Sequence, residues 1–478
     1  VNSPHIVHGN ALTTDWQSVL PAQRCSYVLG NPPFVGAKFM NEAQRLETQS
    51  VFSGVKNAGL LDLVAAWYVK AAQYLLCVIE LEHKPVCAFV STNSICQGEQ
   101  VGVLWSWMLA QGVKIRFAHR TFQWSNEARG KAAVHCVIVG FSLEEASKKI
   151  IYEYEHPKAE PHEVIANCIN PYLVDGPNVT LPRRTQPLCD VPEIGIGNKP
   201  IDGGHYLFSS EERNAFIHIE PASAKWFRRW IGADEFLNGY ERWCLWLGDC
   251  SPTELRAMPE VMKRVQAVKR LRIESKSPGT RKLADTPTRF HVENQPLKPY
   301  MVIPETSSET RAFIPFGYEE PSTLCSNALR LMPDASLFHF GVLSSTMHNA
   351  WVRFTCGRLK SDYRYSASIV YNNFPWPDAT GKVVSDKVRH AIEDCAQAVL
   401  DARQVDPNAS LADLYADSMP PALVKAHRRL DAAVDKAYEV SGGKKEWKND
   451  AERVAFLFGM YQTATTLFSS QRKKLVRS

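Results

Sequence analysis

The stretch "YVLGNPPFVGAKF", residues 27–39, decides how this chain is read. A short apolar run ends there in Asn31, Pro32, Pro33 and Phe34. Each proline removes a backbone donor, so the strand before them cannot run on through them. The chain must leave the strand end at a rigid angle. On that backbone the Asn31 side-chain carbonyl and the Pro32 main-chain carbonyl offer two acceptors. They match the two hydrogens of a planar exocyclic amino group, and the Phe34 ring can stack on the attached base. Such a site suits methylation of an amino nitrogen. Holding the hydrogens localises the lone pair, and rate comes from alignment and preorganised electrostatics rather than from a strong base. A proline turn without chemistry is the alternative for so short a motif, and the position between a strand and a long loop weighs against it.

Working outward, strands and helices alternate. "HIVHG" (5–9) and "SYVLG" (26–30) read as short strands, and "LLDLVAAWYVKAAQYLLCVIEL" (60–81) has helical spacing with an apolar face. "KPVCAFVSTNSI" (84–95) reads as a strand leading to a polar turn, and "VGVLWSWMLAQG" (101–112) as a helix that Gly112 ends. "VKIRFAHRTFQW" (113–124) and "KAAVHCVIVGFS" (131–142) read as a closing pair of strands. This order predicts an α/β, mostly parallel, doubly wound sheet, with its ligand at the carboxyl ends of the strands. From about residue 155 prolines become frequent and strands short, as in "INPYLVDGPNVTLPRRTQP" and "QPLKPYMVIPE", which predicts a mixed α+β domain. Past about residue 380 the spacing is helical again. The division predicted is 1–150, 151–378 and 379–478.

The chain has 478 residues, a formal net charge of +5 and 45% hydrophobic residues, the balance of a packed protein of two or three domains. No apolar run reaches the eighteen or so residues of a membrane-spanning helix. The start, "VNSPHIVHGN", lacks the basic and apolar regions of a signal peptide and has no initiator methionine, so the natural start is expected upstream. Twelve cysteines are scattered without a CxxC pair, which argues against a zinc ribbon or a disulfide framework and for reduced thiols in the cytoplasm. The mild basic balance permits a nucleic-acid partner without requiring one.

The NPPF turn matches motif IV of amino-methylating DNA methyltransferases, and the flanking stretches resemble other motifs of that family in order. "IVHGNAL" (6–12) resembles motif III, which implies that Asn10 approaches the adenine of S-adenosylmethionine. "LDLVAAWYVKAA" (61–72) resembles motif V, which implies that Asp62 lines the same pocket. "AFVSTNSICQGEQ" (88–100) resembles motif VI. "RTFQWSNEARGKAAVHCVIVGF" (120–141) resembles motif VIII, which implies Phe122 and Trp124 as candidates to stack on a flipped base. Taken alone, Asp62 can cap a helix, Asn10 can close a turn, and the two aromatics can be core residues. The stretches 227–247, 286–318, 339–377 and 419–438 resemble the target-recognition and tail segments of MmeI-like single-chain restriction–modification enzymes.

The resemblance covers nearly the whole chain. It implies a partial class I (Rossmann-like) methyltransferase sheet, a target-recognition domain and a helical carboxy-terminal region. The activity implied is adenine-N6 methylation of double-stranded DNA with S-adenosylmethionine as cofactor and base flipping at the NPPF clamp. The Gly-rich turn and acidic residue that the family places before motif III are not found here, nor is its metal-dependent nuclease. The only Gly-x-Gly stretch, "IGIGNKPIDGG" (194–204), lies too far downstream. The expectation is therefore an incomplete fragment, weak in cofactor binding alone, which an upstream segment or separate chain completes. No metal site is expected. Arg311, Arg330, Arg358, Lys360 and Arg364 are the candidates for DNA contact, with an ordinary solvated face as the plain alternative for each. The densest basic run, 266–287, reads as loop-like towards its end, a candidate backbone-contacting segment or a flexible solvent-facing stretch. A non-catalytic DNA-specificity module is the competing reading, and methylation of protein glutamine or RNA a third. A cytosine-C5 mechanism would need a cysteine nucleophile, for which only Cys87 in "KPVC" offers itself.

Overall fold

The computed structural model describes residues 4–80, 84–124 and 134–475. A six-stranded sheet carries the amino-terminal part: β1 (Tyr27–Gly30), β2 (Val86–Thr92), β3 (Lys114–Trp124), β4 (Val134–Ser142), β5 (Lys149–Glu153) and β6 (His162–Ala166). Their spatial order is β1-β2-β4-β3-β5-β6. β1 runs parallel to β2, and β3 to β5, whereas β4 is antiparallel to both its neighbours and β6 is antiparallel to β5. The sheet is thus mixed rather than mostly parallel. The connection 125–133 is shorter than the dozen or so residues a parallel crossover needs, so β4 must fold straight back on β3. It inserts between β2 and β3, which the helix Glu99–Ala110 joins.

Residues 5–9 form no strand. Ile6 is 82% exposed, and among the described residues β1 pairs only with β2, so no ladder is there for the segment to join. The helix Ala65–Leu76 buries Ala65, Tyr68, Val69, Ala72 and Leu75 against the sheet. The Tyr68 ring meets Phe89 and Phe141, each at 5.3 Å, and Trp105 at 6.1 Å. Aromatic contacts of this kind beneath the strand ends make a stiff floor.

The middle of the chain forms three smaller sheets. One joins Thr323–Cys325, Phe227–Ile231, Arg242–Leu245 and Leu207–Ser209, and the next Gly317–Glu319, Tyr300–Pro304, Leu329–Met332 and Gly195–Ile196. The third joins Thr306–Ser307, Asp362–Arg364 and Gly357–Leu359. The Gly-x-Gly stretch serves packing here: a Cβ on Gly197 would stand 2.1 Å from the Ser326 carbonyl oxygen. The basic run 266–287 is largely helical, within Pro259–Ile273 and Pro278–Lys282. Its Arg272 is fully buried and donates to the carbonyls of Pro200, Ile201, Leu283, Thr286 and Arg289. That arginine works inside the protein, tying two loops to a helix end.

The helices Asp386–Arg403, Pro421–Tyr438 and Asp450–Leu475 fill the carboxy-terminal part. They pack on Leu337–Ser344 and Thr346–Thr355, and one continuous apolar core runs from the six-stranded sheet into them. Arg353 meets Asp450 at 2.6 Å across this junction. No helix of the described residues is long and apolar enough to cross a membrane.

Two buried histidines sit in this core. His348 shares a hydrogen bond with the Tyr365 hydroxyl (2.9 Å), and His427 shares one with Tyr415 (2.9 Å) while stacking on Phe313. Burial pushes each down to about 3 from 6.5. The folded protein keeps both neutral while the unfolded chain takes up protons below about pH 6.5, so stability falls as the pH drops toward 3. At pH 5 the loss is about 2 kcal/mol for each histidine. Urea unfolding at pH 7 and pH 5 should show it, and His348→Gln with His427→Gln should flatten the profile. An equally steep profile in the double variant would assign the acid sensitivity to other groups.

Candidate catalytic and recognition site

β1 stops at Gly30, and Asn31 to Phe34 leave the carboxyl end of the strand as the prolines require. Pro32 is buried, Phe34 half-buried and Asn31 exposed. Among the described residues no hydrogen bond engages the Asn31 side-chain amide, so its acceptor is uncommitted. Beside it opens a cavity of about 360 Å³ lined by Ala11, Trp16, Leu29, Trp67, Phe89 and the Asn31–Pro33 segment. Its walls are mainly apolar and aromatic, the character of a small-ligand cleft.

The loop after the Asn31–Phe34 turn is pinned from below. The Leu63 N–H donates to the Val35 carbonyl (2.9 Å) and the Ala37 N–H to Asp62 Oδ1 (2.7 Å). The Asp62 N–H in turn donates to Gln100 Oε1 (2.8 Å). The Asp62 side chain therefore caps the loop after Phe34 rather than its own helix. Asn10 closes a turn, its Oδ1 accepting from the Leu12 N–H (2.9 Å), and that turn carries Ala11 and Trp16 to the cavity wall. Sequence reasoning missed Trp16, Trp67 and Gln100. Trp67 lies inside the motif V stretch and Gln100 inside motif VI, so closer reading of those two stretches was the available signal.

Register places the motif VIII aromatic. Thr92 at the end of β2 pairs with Cys136, and Cys136 pairs with Phe122, so Phe122 stands at the same end of the sheet as Asn31. Three strand spacings separate β1 from β3, roughly 14 Å. Phe122 stacks on Tyr154 (5.5 Å between centroids), beside His119, which shares a hydrogen bond with the Tyr154 hydroxyl (2.8 Å). Burial holds His119 below its ordinary value. Trp124 ends β3, and its side chain lies outside the described residues, as do residues 125–133 of the motif VIII stretch. Cys87 is fully buried within β2, and burial raises its thiol well above the ordinary range, the opposite of what a nucleophile needs.

Four of the five DNA-contact candidates, the arginines, scattered over fifty-odd positions of sequence, lie against acidic side chains. Arg330 and Arg364 converge on the Glu305 carboxylate, each at 3.0 Å. Arg358 lies over the Tyr363 ring (4.0 Å), 3.4 Å from Glu309. Arg311 is half-buried, its guanidinium shifted down by burial and partly restored by Asp362. Lys360 occupies the exposed turn of the hairpin 357–364, at φ +58°. The hairpin begins against the motif VI loop. The Gly98 N–H donates to the Thr355 carbonyl (3.0 Å), and a Cβ on Gly98 would stand 3.0 Å from Gly357 Cα. Only glycine allows two backbones so close at a positive φ of 73°. Among the described residues no cluster of His, Cys, Asp or Glu is placed to hold a metal ion.

Three family models match in order: the MmeI DNA-methyltransferase domain over residues 1–153, the MmeI target recognition domain over 175–378, and the MmeI C-terminal domain over 384–469. DNA methyltransferase A of Bacillus subtilis (strain 168) is 38% identical over 460 residues, 95% of this chain and 50% of that protein. The solved structure of the Type IIL restriction-modification enzyme MmeI in complex with DNA superposes with a TM-score of 0.86 at 50% identity, over 97% of this chain and 60% of that one. The chain thus spans about half the length of the curated relative.

Proposed function

Since this chain belongs to the MmeI family of DNA methyltransferases, we propose that it carries the amino-group clamp and the target-recognition surface of an adenine-N6 DNA methyltransferase. The observation that carries this reading is the exposed, uncommitted Asn31 amide at a strand end, on a loop fixed from below and beside an apolar, tryptophan-lined cavity.

An adenine amino group lies inside the duplex, so the base must be extruded before the clamp can hold it, at a cost of a few kcal/mol. Phe34 and Phe122, at the same end of the sheet, are the rings that recover part of that stacking. Asn31 Oδ1 and the Pro32 carbonyl accept the two amino hydrogens and aim the lone pair. S-adenosylmethionine supplies an electrophilic methyl group to that nitrogen. The aromatic walls at Trp16, Trp67 and Phe89 fit a purine or a sulfonium methyl group; Asn10 closes the turn that brings Ala11 and Trp16 to the wall, and Asp62 holds the loop after Phe34. Among the described residues the cavity lacks a Gly-rich turn and an acidic partner for a ribose, so part of the cofactor site is assigned to an upstream segment or a partner chain. The Arg330, Arg358 and Arg364 guanidinia, each pre-oriented by a carboxylate or a ring, suit reading of guanine edges, and the exposed Lys360 suits a phosphate or a base at the groove.

The test is transfer of labelled methyl from S-adenosylmethionine to mixed-sequence duplex DNA by the full-length protein, with the product nucleoside identified by mass. N6-methyladenine is the expected product. N4-methylcytosine would correct the base while keeping the clamp chemistry. Specific DNA binding without any transfer would replace the enzymatic reading by a specificity module.

A further inference from the structure

Phe39 is the most exposed aromatic side chain among the described residues, at 85%. Exposure alone means little for a single ring on a mobile loop. This loop is fixed at several points. Val35 is tied to Leu63, Ala37 to Asp62, and Asp62 to Gln100. The Phe39 N–H closes a turn onto the Gly36 carbonyl (2.8 Å). The next residue, Met40, is buried, and Asn41 then starts a helix with a reciprocal cap to Gln44 (2.9 and 3.0 Å). The chain thus anchors Ala37 on one side of a phenyl ring and Met40 on the other, and leaves the ring in water, five positions after Phe34. Lys38 beside it is exposed, a cation at the turn that suits a phosphate.

Extruding a base leaves a slot in the stack one aromatic ring thick and strips the opposite base of its partner. Proteins that deform duplexes fill such slots with apolar wedges, and aromatic rings stack on any base they meet. We propose that Phe39 enters the base stack at the place the target adenine vacates and stacks there on the orphaned partner. Phe34 serves the extruded base and Phe39 the gap it leaves. The strut from Gln100 through Asp62 to Ala37 keeps the wedge in fixed relation to the clamp. This proposal rests on the methyltransferase reading above.

The experiment compares full-length protein with its Phe39→Ala and Phe39→Trp forms in single-turnover methyl transfer. Two duplexes are used: one fully paired, and one in which the target adenine faces an abasic site. On the paired duplex Phe39→Ala should lose about tenfold or more in rate, and Phe39→Trp should restore most of it. On the abasic duplex, where no partner base remains to stack upon, the loss should shrink to about threefold or less. A merely structural role would lower both substrates alike, and that result overturns the proposal, as does full activity of Phe39→Ala on paired DNA. Parent protein that methylates neither duplex overturns the underlying reading as well. Parent activity with an indifferent Phe39 overturns only the wedge.

Discussion

Replacing Asn31 with alanine is expected to slow methyl transfer by about a hundred- to a thousandfold, the loss typical of one preorganised polar group in a closed site. DNA binding should change by less than about threefold, since on the proposed reading the arginine cluster, not Asn31, reads the sequence. The fold has no stake in this side chain: Asn31 is exposed, and among the described residues nothing bonds its amide. Asn31→Asp should retain more activity than Asn31→Ala, because a carboxylate still accepts from the amino group. Single-turnover transfer and equilibrium binding on one duplex separate the two effects. Equal losses in rate and affinity would make Asn31 a DNA-binding residue, and unchanged transfer would remove the clamp from the mechanism.

Arg272→Leu is expected to destabilise the middle region by about 3–5 kcal/mol. The side chain is fully buried, and its guanidinium is the donor for five main-chain carbonyls from 200–201 and 283–289. Leucine fills much of the volume and satisfies none of them, so each carbonyl faces a dry interior without a donor. Lysine keeps the charge and loses the fork, so Arg272→Lys should also fail to restore stability. Urea unfolding followed by tryptophan fluorescence reads the change, since Trp230 and Trp243 sit in the adjoining sheet. A loss below about 1 kcal/mol would mean that water replaces the guanidinium at those carbonyls.

The turn after β1 was legible from sequence because two prolines dictate backbone geometry wherever they stand. The β3–β4 pair, two register shifts notwithstanding, and the carboxy-terminal helices were legible from their apolar patterning. Position 5–9 has the composition of a strand, but a strand needs a neighbour, and composition does not reveal one. The insertion of β4 between β2 and β3 is a matter of tertiary pairing, which no local pattern encodes. Arg272 sits in the densest basic run of the chain, and its burial depends on carbonyls about 70 residues earlier. Asp62 was visible as a candidate, while its bond to Ala37 was hidden because it spans 25 positions. The cavity wall failed for the same reason: Trp16 and Trp67 become neighbours of Asn31 only after folding.

Glu305 serves two masters, Arg330 and Arg364, from different strands. A change at either arginine leaves the carboxylate to the other, altering its hydrogen bonding and the charge it shows to solvent. Effects at these positions will therefore not add. In evolutionary terms the surface is epistatic. An exchange tolerated in one background is penalised in another, and scans that alter one position at a time will understate what paired changes reach. Lineages that alter this surface should move through Glu305 and its arginines together.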